Sequence, residues 1–140
     1  MQKITPFLWF NNNAEDAMNF YTTVFKNSKI VTTSRYGDAG PGQKGAVMTG
    51  TIEIEGQQFY LLNGGPLYNF TPAVSFFVSC ATQPEIDELW EKLSNGGSVQ
   101  QCGWLKDKFG LSWQIVPANL GALLQGGDKE KSNRVMKAMM

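Results

Sequence analysis

The chain repeats itself, and this duplication restricts its possible folds more than any other feature. When the sequence is laid over a later stretch of itself, Phe7 meets Phe76, Leu8 meets Phe77 and Ala17 meets Ile86. Further along the same overlay, Phe20 meets Leu89, Tyr21 meets Trp90 and Val24 meets Leu93. A repeat of this kind means that one supersecondary unit is used twice. Each copy reads as a strand, a polar turn and an amphipathic helix.

In the first copy, residues 4–10 read as the strand, Asn13 as the helix N-cap, and Glu15 and Asp16 as its first turn. Ala14, Ala17, Met18, Tyr21, Val24 and Phe25 form an apolar stripe at helical spacing. In the second copy, residues 73–79 read as the strand. Thr82, Gln83, Pro84 and Glu85 form a capping-box sequence with proline inside the first turn. Ile86, Leu89, Trp90 and Leu93 repeat at helical spacing, and Gly96 with Gly97 ends the helix.

Strands follow each helix. Residues 29–36, 46–55 and 57–62 fill the first half, with a tight turn at Gly56. Residues 99–101, 104–108 and 112–116 fill the second half, with a turn at Lys108, Phe109 and Gly110. The closing strands also match: Gly56 with Gly110, Phe59 with Trp113, Leu61 with Ile115 and Leu62 with Val116. The expected fold is α+β, with βαβββ written twice. Module 1 covers about residues 1–65, module 2 about 72–117, and a helical tail 118–140, all within one domain of 140 residues. The tail is expected to hold a short helix at 119–124 and another after Gly127, capped by Asp128.

The chain contains no histidine. Ser-His-Asp and Cys-His catalysis are therefore excluded. So are His-based zinc sites and the two-histidine, one-carboxylate iron site. Twelve basic and twelve acidic residues give no net charge, so no basic surplus exists to bind nucleic acid. Cys80 and Cys102 form no CxxC pair and are expected to stay reduced. The N-terminus does not read as a signal peptide, and no apolar run reaches about 20 residues. The expected setting is cytoplasmic, with no membrane contact.

Several segments resemble one known family. They are Leu8-Trp9-Phe10, Ala14-Glu15, Asn19-Phe20-Tyr21, Tyr36-Gly37 and Gly40-Pro41-Gly42. Further along come Leu62-Asn63-Gly64-Gly65-Pro66, Gln101-Cys102-Gly103-Trp104-Leu105-Lys106-Asp107 and Gly110-Leu111-Ser112-Trp113-Gln114-Ile115-Val116-Pro117. Together they resemble PhnB-like proteins, often labelled 3-demethylubiquinone-9 3-methyltransferase, of the vicinal oxygen chelate superfamily. That superfamily includes glyoxalase I, bleomycin-resistance proteins and extradiol dioxygenases. The resemblance implies curved mixed sheets around a ligand cavity. It also implies a homodimer, with residues 63–72 as the place where modules would exchange between subunits.

In metal-using relatives, the resemblance places the metal ligands at Tyr60, Gln114, near residues 4–6 and at about Ala73. None of these is a histidine or carboxylate, so no metal and no cofactor are expected. If Gln114 faces the cavity, strand alternation puts Ser112 and Val116 there too, and by the repeat Gln58, Tyr60 and Leu62. Ser75 and Phe77 join them if Ala73 does.

The candidate ligand-binding residues are therefore Gln114, Tyr60, Asn63, Ser75, Phe77 and Trp104. Each has a structural alternative. Gln114 either orients a ligand or is an amide satisfied by the backbone. Tyr60 either donates to a ligand oxygen or packs in the core. Asn63 either touches a ligand or serves its glycine turn. Trp104 either stacks on a planar ligand or fills the core. Cys102, Glu53 and the pair Asp107-Lys108 read as structural or solvated residues, and the loop 37–45 as a hairpin tip.

Three functions stay open. The first is a metal-free protein that binds a small, partly apolar molecule. The second is an isomerase, lyase or dioxygenase using an unrecognised metal. The third is a methyltransferase, although neither glycine-rich stretch lies between a strand and a helix as common S-adenosylmethionine sites require.

Overall fold

A computed structural model of the chain describes residues 2–38 and 43–118. Two compact units divide between Asn69 and Phe70. Each is βαβββ, as the repeat predicts. The first contains β1 (Phe7–Phe10), α1 (Ala14–Val24), β2 (Ser28–Arg35), β3 (Val47–Ile54) and β4 (Gln57–Asn63). The second contains β5 (Ser75–Cys80), α2 (Gln83–Ser94), β6 (Ser98–Val99), β7 (Trp104–Lys106) and β8 (Ser112–Pro117).

Each unit forms one four-stranded mixed sheet, ordered β1-β4-β3-β2 in the first and β5-β8-β7-β6 in the second. The first strand of each unit pairs with the last in parallel, and the other pairs are antiparallel. Such an order places the opening strand of a unit beside its closing strand. Residues far apart in sequence thereby come to share one face.

One face of each sheet is covered by its own helix. In α1, Ala14, Ala17, Met18, Tyr21 and Val24 are buried, the stripe read from sequence. They pack on β3 and β4, whose inward residues Ile52, Ile54, Phe59 and Leu61 are also buried. In α2, Leu89 and Leu93 are buried, and the helix packs on β7 and β8, where Leu105, Trp113 and Ile115 are buried. The end of α2 lies close on β7: a Cβ on Gly97 would stand 2.0 Å from the Lys106 carbonyl oxygen.

The two helices start differently. The Thr82 hydroxyl accepts from the Glu85 amide at 3.3 Å, and the Glu85 carboxylate accepts from the Ala81 amide at 2.9 Å. This is the capping box with its return bond shifted one residue outward. Asn13, expected to cap α1, makes no side-chain cap bond. Asn63 caps it instead, from the end of β4: its Oδ1 accepts from the Ala14 amide at 2.8 Å.

The structure corrects two further expectations. β1 begins at Phe7 and β5 at Ser75, both later than the sequence pattern placed them. The strand repeat is also offset. Phe7 stands opposite Tyr60, and Phe77 opposite Gln114. The structural counterpart of Phe7 is thus Phe77, one residue beyond Phe76. A one-residue slip exchanges the faces of a strand, so the offset decides which side chains line which surface. The expected helices of the tail and residues 39–42 of the glycine-rich loop lie outside the described residues. Around that loop, Tyr36 and Gly45 close the hairpin through an amide-to-carbonyl bond of 2.9 Å.

Candidate functional site

The face of each sheet turned away from its helix carries the candidate residues. In the first unit it begins with Phe7 and Trp9 on β1. Gln58, Tyr60 and Leu62 follow on β4, and Thr49, Thr51 and Glu53 on β3, in cross-strand register. Aromatic groups dominate it. Phe7 is 57% exposed and Tyr60 38% exposed, and their rings meet edge-on with centroids 5.5 Å apart.

Trp9 is fixed in place. Its Nε1 donates to the Gly65 carbonyl at 3.0 Å, and its ring meets Tyr68 edge-on at 4.9 Å. A Cβ on Gly64 would lie 2.4 Å from the indole, so this turn closes over Trp9 only with glycine there.

In the second unit the corresponding face carries Ser75 and Phe77 on β5, Ser112, Gln114 and Val116 on β8, and Trp104 and Lys106 on β7. Gln114 Nε2 donates to the Ser75 hydroxyl at 2.9 Å. Phe77 is exposed, Trp104 and Gln114 are half-buried, and Ser112 is buried. The register sets Phe77, Gln114 and Trp104 in one row across three strands, and Ser75, Ser112 and Lys106 in the next.

Each residue named from sequence now has a place. Gln114, Ser75, Phe77 and Trp104 share one face of the second sheet. Tyr60 lies on the corresponding face of the first. Asn63 does not belong with them. Its carboxamide is used on both sides, accepting from Ala14 and donating to the Val47 carbonyl at 3.0 Å. It ties β4 to α1 and β3.

Phe7, Trp9 and Lys106 were absent from the sequence-based set. Alternation along β1, anchored on its pairing with Tyr60, is the signal that identifies the first two. Glu53, read as a solvated residue, is half-buried on the first face between Lys29 and Gln58.

The remaining reactive side chains are placed structurally. Asp107 is buried, and its Oδ1 accepts from the Phe109 and Leu111 amides at 2.9 and 3.1 Å. Its Oδ2 accepts from Trp113 Nε1 at 2.9 Å, so the carboxylate organises the turn into β8. Cys80 and Cys102 form no disulfide. Burial, with the Glu85 carboxylate adding to it, pushes the Cys80 thiol up to about 11. It stays protonated and unreactive at neutral pH. Cys102 sits in the turn before β7 at φ 63°.

The family model for 3-demethylubiquinone-9 3-methyltransferase matches residues 2–116. The chain belongs to this PhnB-like family. A PhnB protein from Bacillus cereus is 42% identical, with a TM-score of 0.77; the match covers 82% of this chain and 99% of that one. A protein from Pseudomonas aeruginosa is 22% identical with a TM-score of 0.70, over 84% and 97% of the two chains. The fosfomycin resistance protein FosX from Listeria monocytogenes is 13% identical with a TM-score of 0.58, over 84% and 90%. It shares the fold. No curated protein matches.

FosX has been crystallised with Mn(II) and sulfate. The residues of the PhnB-like chain do not fit such an ion. Of the positions that the family resemblance suggests for metal ligands, Tyr60 and Gln114 lie in strands, where Phe7 stands opposite Tyr60 and Phe77 opposite Gln114. Two phenyl rings, a phenol and a carboxamide already bonded to Ser75 offer no anionic or imidazole donor. Residues 4–6 and Ala73 precede the strands, and Ile4 is 85% exposed. Among the described residues, no three His, Cys, Asp or Glu side chains are grouped to hold a metal. Among the same residues, no helix is long and apolar enough to cross a membrane.

Proposed function

We propose that this PhnB-like protein binds a small, partly apolar molecule against the sheet faces turned away from α1 and α2, without a protein-bound metal. The observation that carries the reading is the row Phe77, Gln114 and Trp104. It sets a carboxamide between two aromatic side chains on one surface. Apolar walls with a few placed polar groups are the usual make-up of a small-molecule site. The Gln114 amide keeps its carbonyl oxygen available while Nε2 is engaged by Ser75. On the first sheet, Phe7, Trp9 and Tyr60 supply a second aromatic surface with one phenol donor.

The protein is read as a cytoplasmic homodimer, in keeping with its family. A clean monomer by light scattering would contradict the dimer.

The binding test is a thermal-shift screen of tag-free protein against metabolites and planar antibiotics. A bound ligand raises the unfolding midpoint by mass action. The expected result is at least one hit whose shift is lost in Gln114→Ala or Tyr60→Phe. A hit unaffected by both variants would refute the site. Stoichiometric iron, zinc, manganese or nickel in the purified protein would refute the metal-free reading. Retained S-adenosylmethionine would replace it with methyl transfer.

A further inference from the structure

The row next to Phe77, Gln114 and Trp104 has a different chemistry. Ser75, Ser112 and Lys106 stand side by side on β5, β8 and β7, because Ser112 pairs with Ser75 on one side and with Lys106 on the other. Neighbouring strands are about 4.8 Å apart, so the row spans roughly 10 Å. All three side chains can donate hydrogen bonds.

Ser112 is fully buried, and its hydroxyl has no hydrogen-bond partner among the described residues. Buried polar groups are nearly always paired, so an unpaired one calls for an explanation such as strain, a water, an ion or a ligand. The Ser75 hydroxyl accepts from Gln114, which leaves its own proton to donate. Lys106 is half-buried, and its ammonium has no ion pair or side-chain hydrogen bond among the described residues. The row therefore holds two hydroxyl donors and one cation, with no carboxylate in it.

Resting on the small-molecule reading above, we infer that this face selects a carboxylate attached to a flat apolar body. The carboxylate is held by Ser75, Ser112 and Lys106, and the flat body lies along Phe77, Gln114 and Trp104. One lysine matches one negative charge, and charge-assisted hydrogen bonds from the hydroxyls complete the anion's shell. The adjoining aromatic row accounts for the flat body.

The test is a backbone-amide NMR titration of the full chain with benzoate, benzamide and cyclohexanecarboxylate. Benzoate is expected to bind about tenfold more tightly than benzamide, the factor that one charge-assisted contact supplies. Cyclohexanecarboxylate is expected to bind more weakly than benzoate. Lys106→Met is expected to reduce benzoate to the affinity of benzamide and to leave benzamide unchanged. Ser112→Ala, a small change, is expected to weaken benzoate while the rest of the spectrum stays folded.

Equal binding of benzoate and benzamide, or benzoate binding untouched by Lys106→Met, would overturn the inference. If both bind alike and Gln114→Ala removes both, the small-molecule reading stands and only the anion selectivity falls. If neither compound binds, the inference falls, and the small-molecule reading is judged by its own screen.

Discussion

Gln114 Nε2 donates to the Ser75 hydroxyl at 2.9 Å, joining β8 to the parallel strand β5 across the face that also carries Phe77 and Trp104. The bond holds the carboxamide in one orientation. Ser75→Ala is expected to reduce stability by only about 1 kcal/mol, because the face is half-open and water can replace the hydroxyl. Its effect on ligand affinity is expected to be non-additive with Gln114→Ala, since both act through one carboxamide. A double-mutant cycle on a hit from the thermal-shift screen measures this. Additive effects would show that the bond does not position Gln114.

The Asp107 carboxylate accepts from two backbone amides and one indole, and its removal is expected to be severe. Asp107→Ala removes the carboxylate that accepts from the Phe109 amide, the Leu111 amide and Trp113 Nε1. A loss of about 3 kcal/mol is expected, since each unsatisfied buried donor is costly. Urea unfolding followed by tryptophan fluorescence measures it. A loss below about 1 kcal/mol would mean that water substitutes for the carboxylate.

Asn63 and Asn13 give a direct contrast. Asn63→Ala removes the cap on Ala14 and the link to Val47, and is expected to cost about 2 kcal/mol. Asn13→Ala removes no cap bond and is expected to stay within about 0.5 kcal/mol. Equal effects at the two positions would contradict the assignment of the cap to β4.

Cys80 makes stability depend on pH at the alkaline end. Its thiol is raised from 9.0 to about 11 by burial and by Glu85. Between these values the unfolded chain releases the proton while the folded chain keeps it, so stability falls as pH rises. The contribution is unchanged below pH 9.0. Cys80→Ala is expected to flatten this alkaline decline in unfolding midpoint. In the folded protein a thiol reagent is expected to modify Cys102 before buried Cys80.

Gly97→Ala is expected to destabilise the second unit by about 2 kcal/mol or more, because its Cβ would strike the backbone of Lys106 and Asp107. Thermal unfolding of the variant checks this. An unchanged midpoint would mean that α2 and β7 separate easily.

Much of the fold was legible because each unit alternates its periods clearly. The α1 stripe from Ala14 to Val24 and the capping box at Thr82 are local patterns, and the structure contains both. The strand offset was not legible. β1 and β5 carry large apolar residues on both faces, so Phe7 and Phe77 look as inward as Leu8 and Phe76. Only pairing with β4 and β8 separates the faces. The cap on α1 was hidden for a similar reason: Asn63 lies far along the chain, and no local spacing links it to Ala14. Gln114 and Tyr60 were reached through the family resemblance, and the closing-strand repeat sets them at matching positions. Lys106 became a candidate only through its register with Ser112.

The proposed binding of a small organic molecule, through Gln114 on the second sheet or Tyr60 on the first and without a resident metal, is open to one direct test. The most direct test is a thermal-shift screen on tag-free protein treated with a chelator. The account predicts at least one compound that raises the unfolding midpoint in the wild-type chain and loses that effect in Gln114→Ala or Tyr60→Phe. Stabilisation that appears only when a divalent metal is restored, or that persists in both variants, would contradict it.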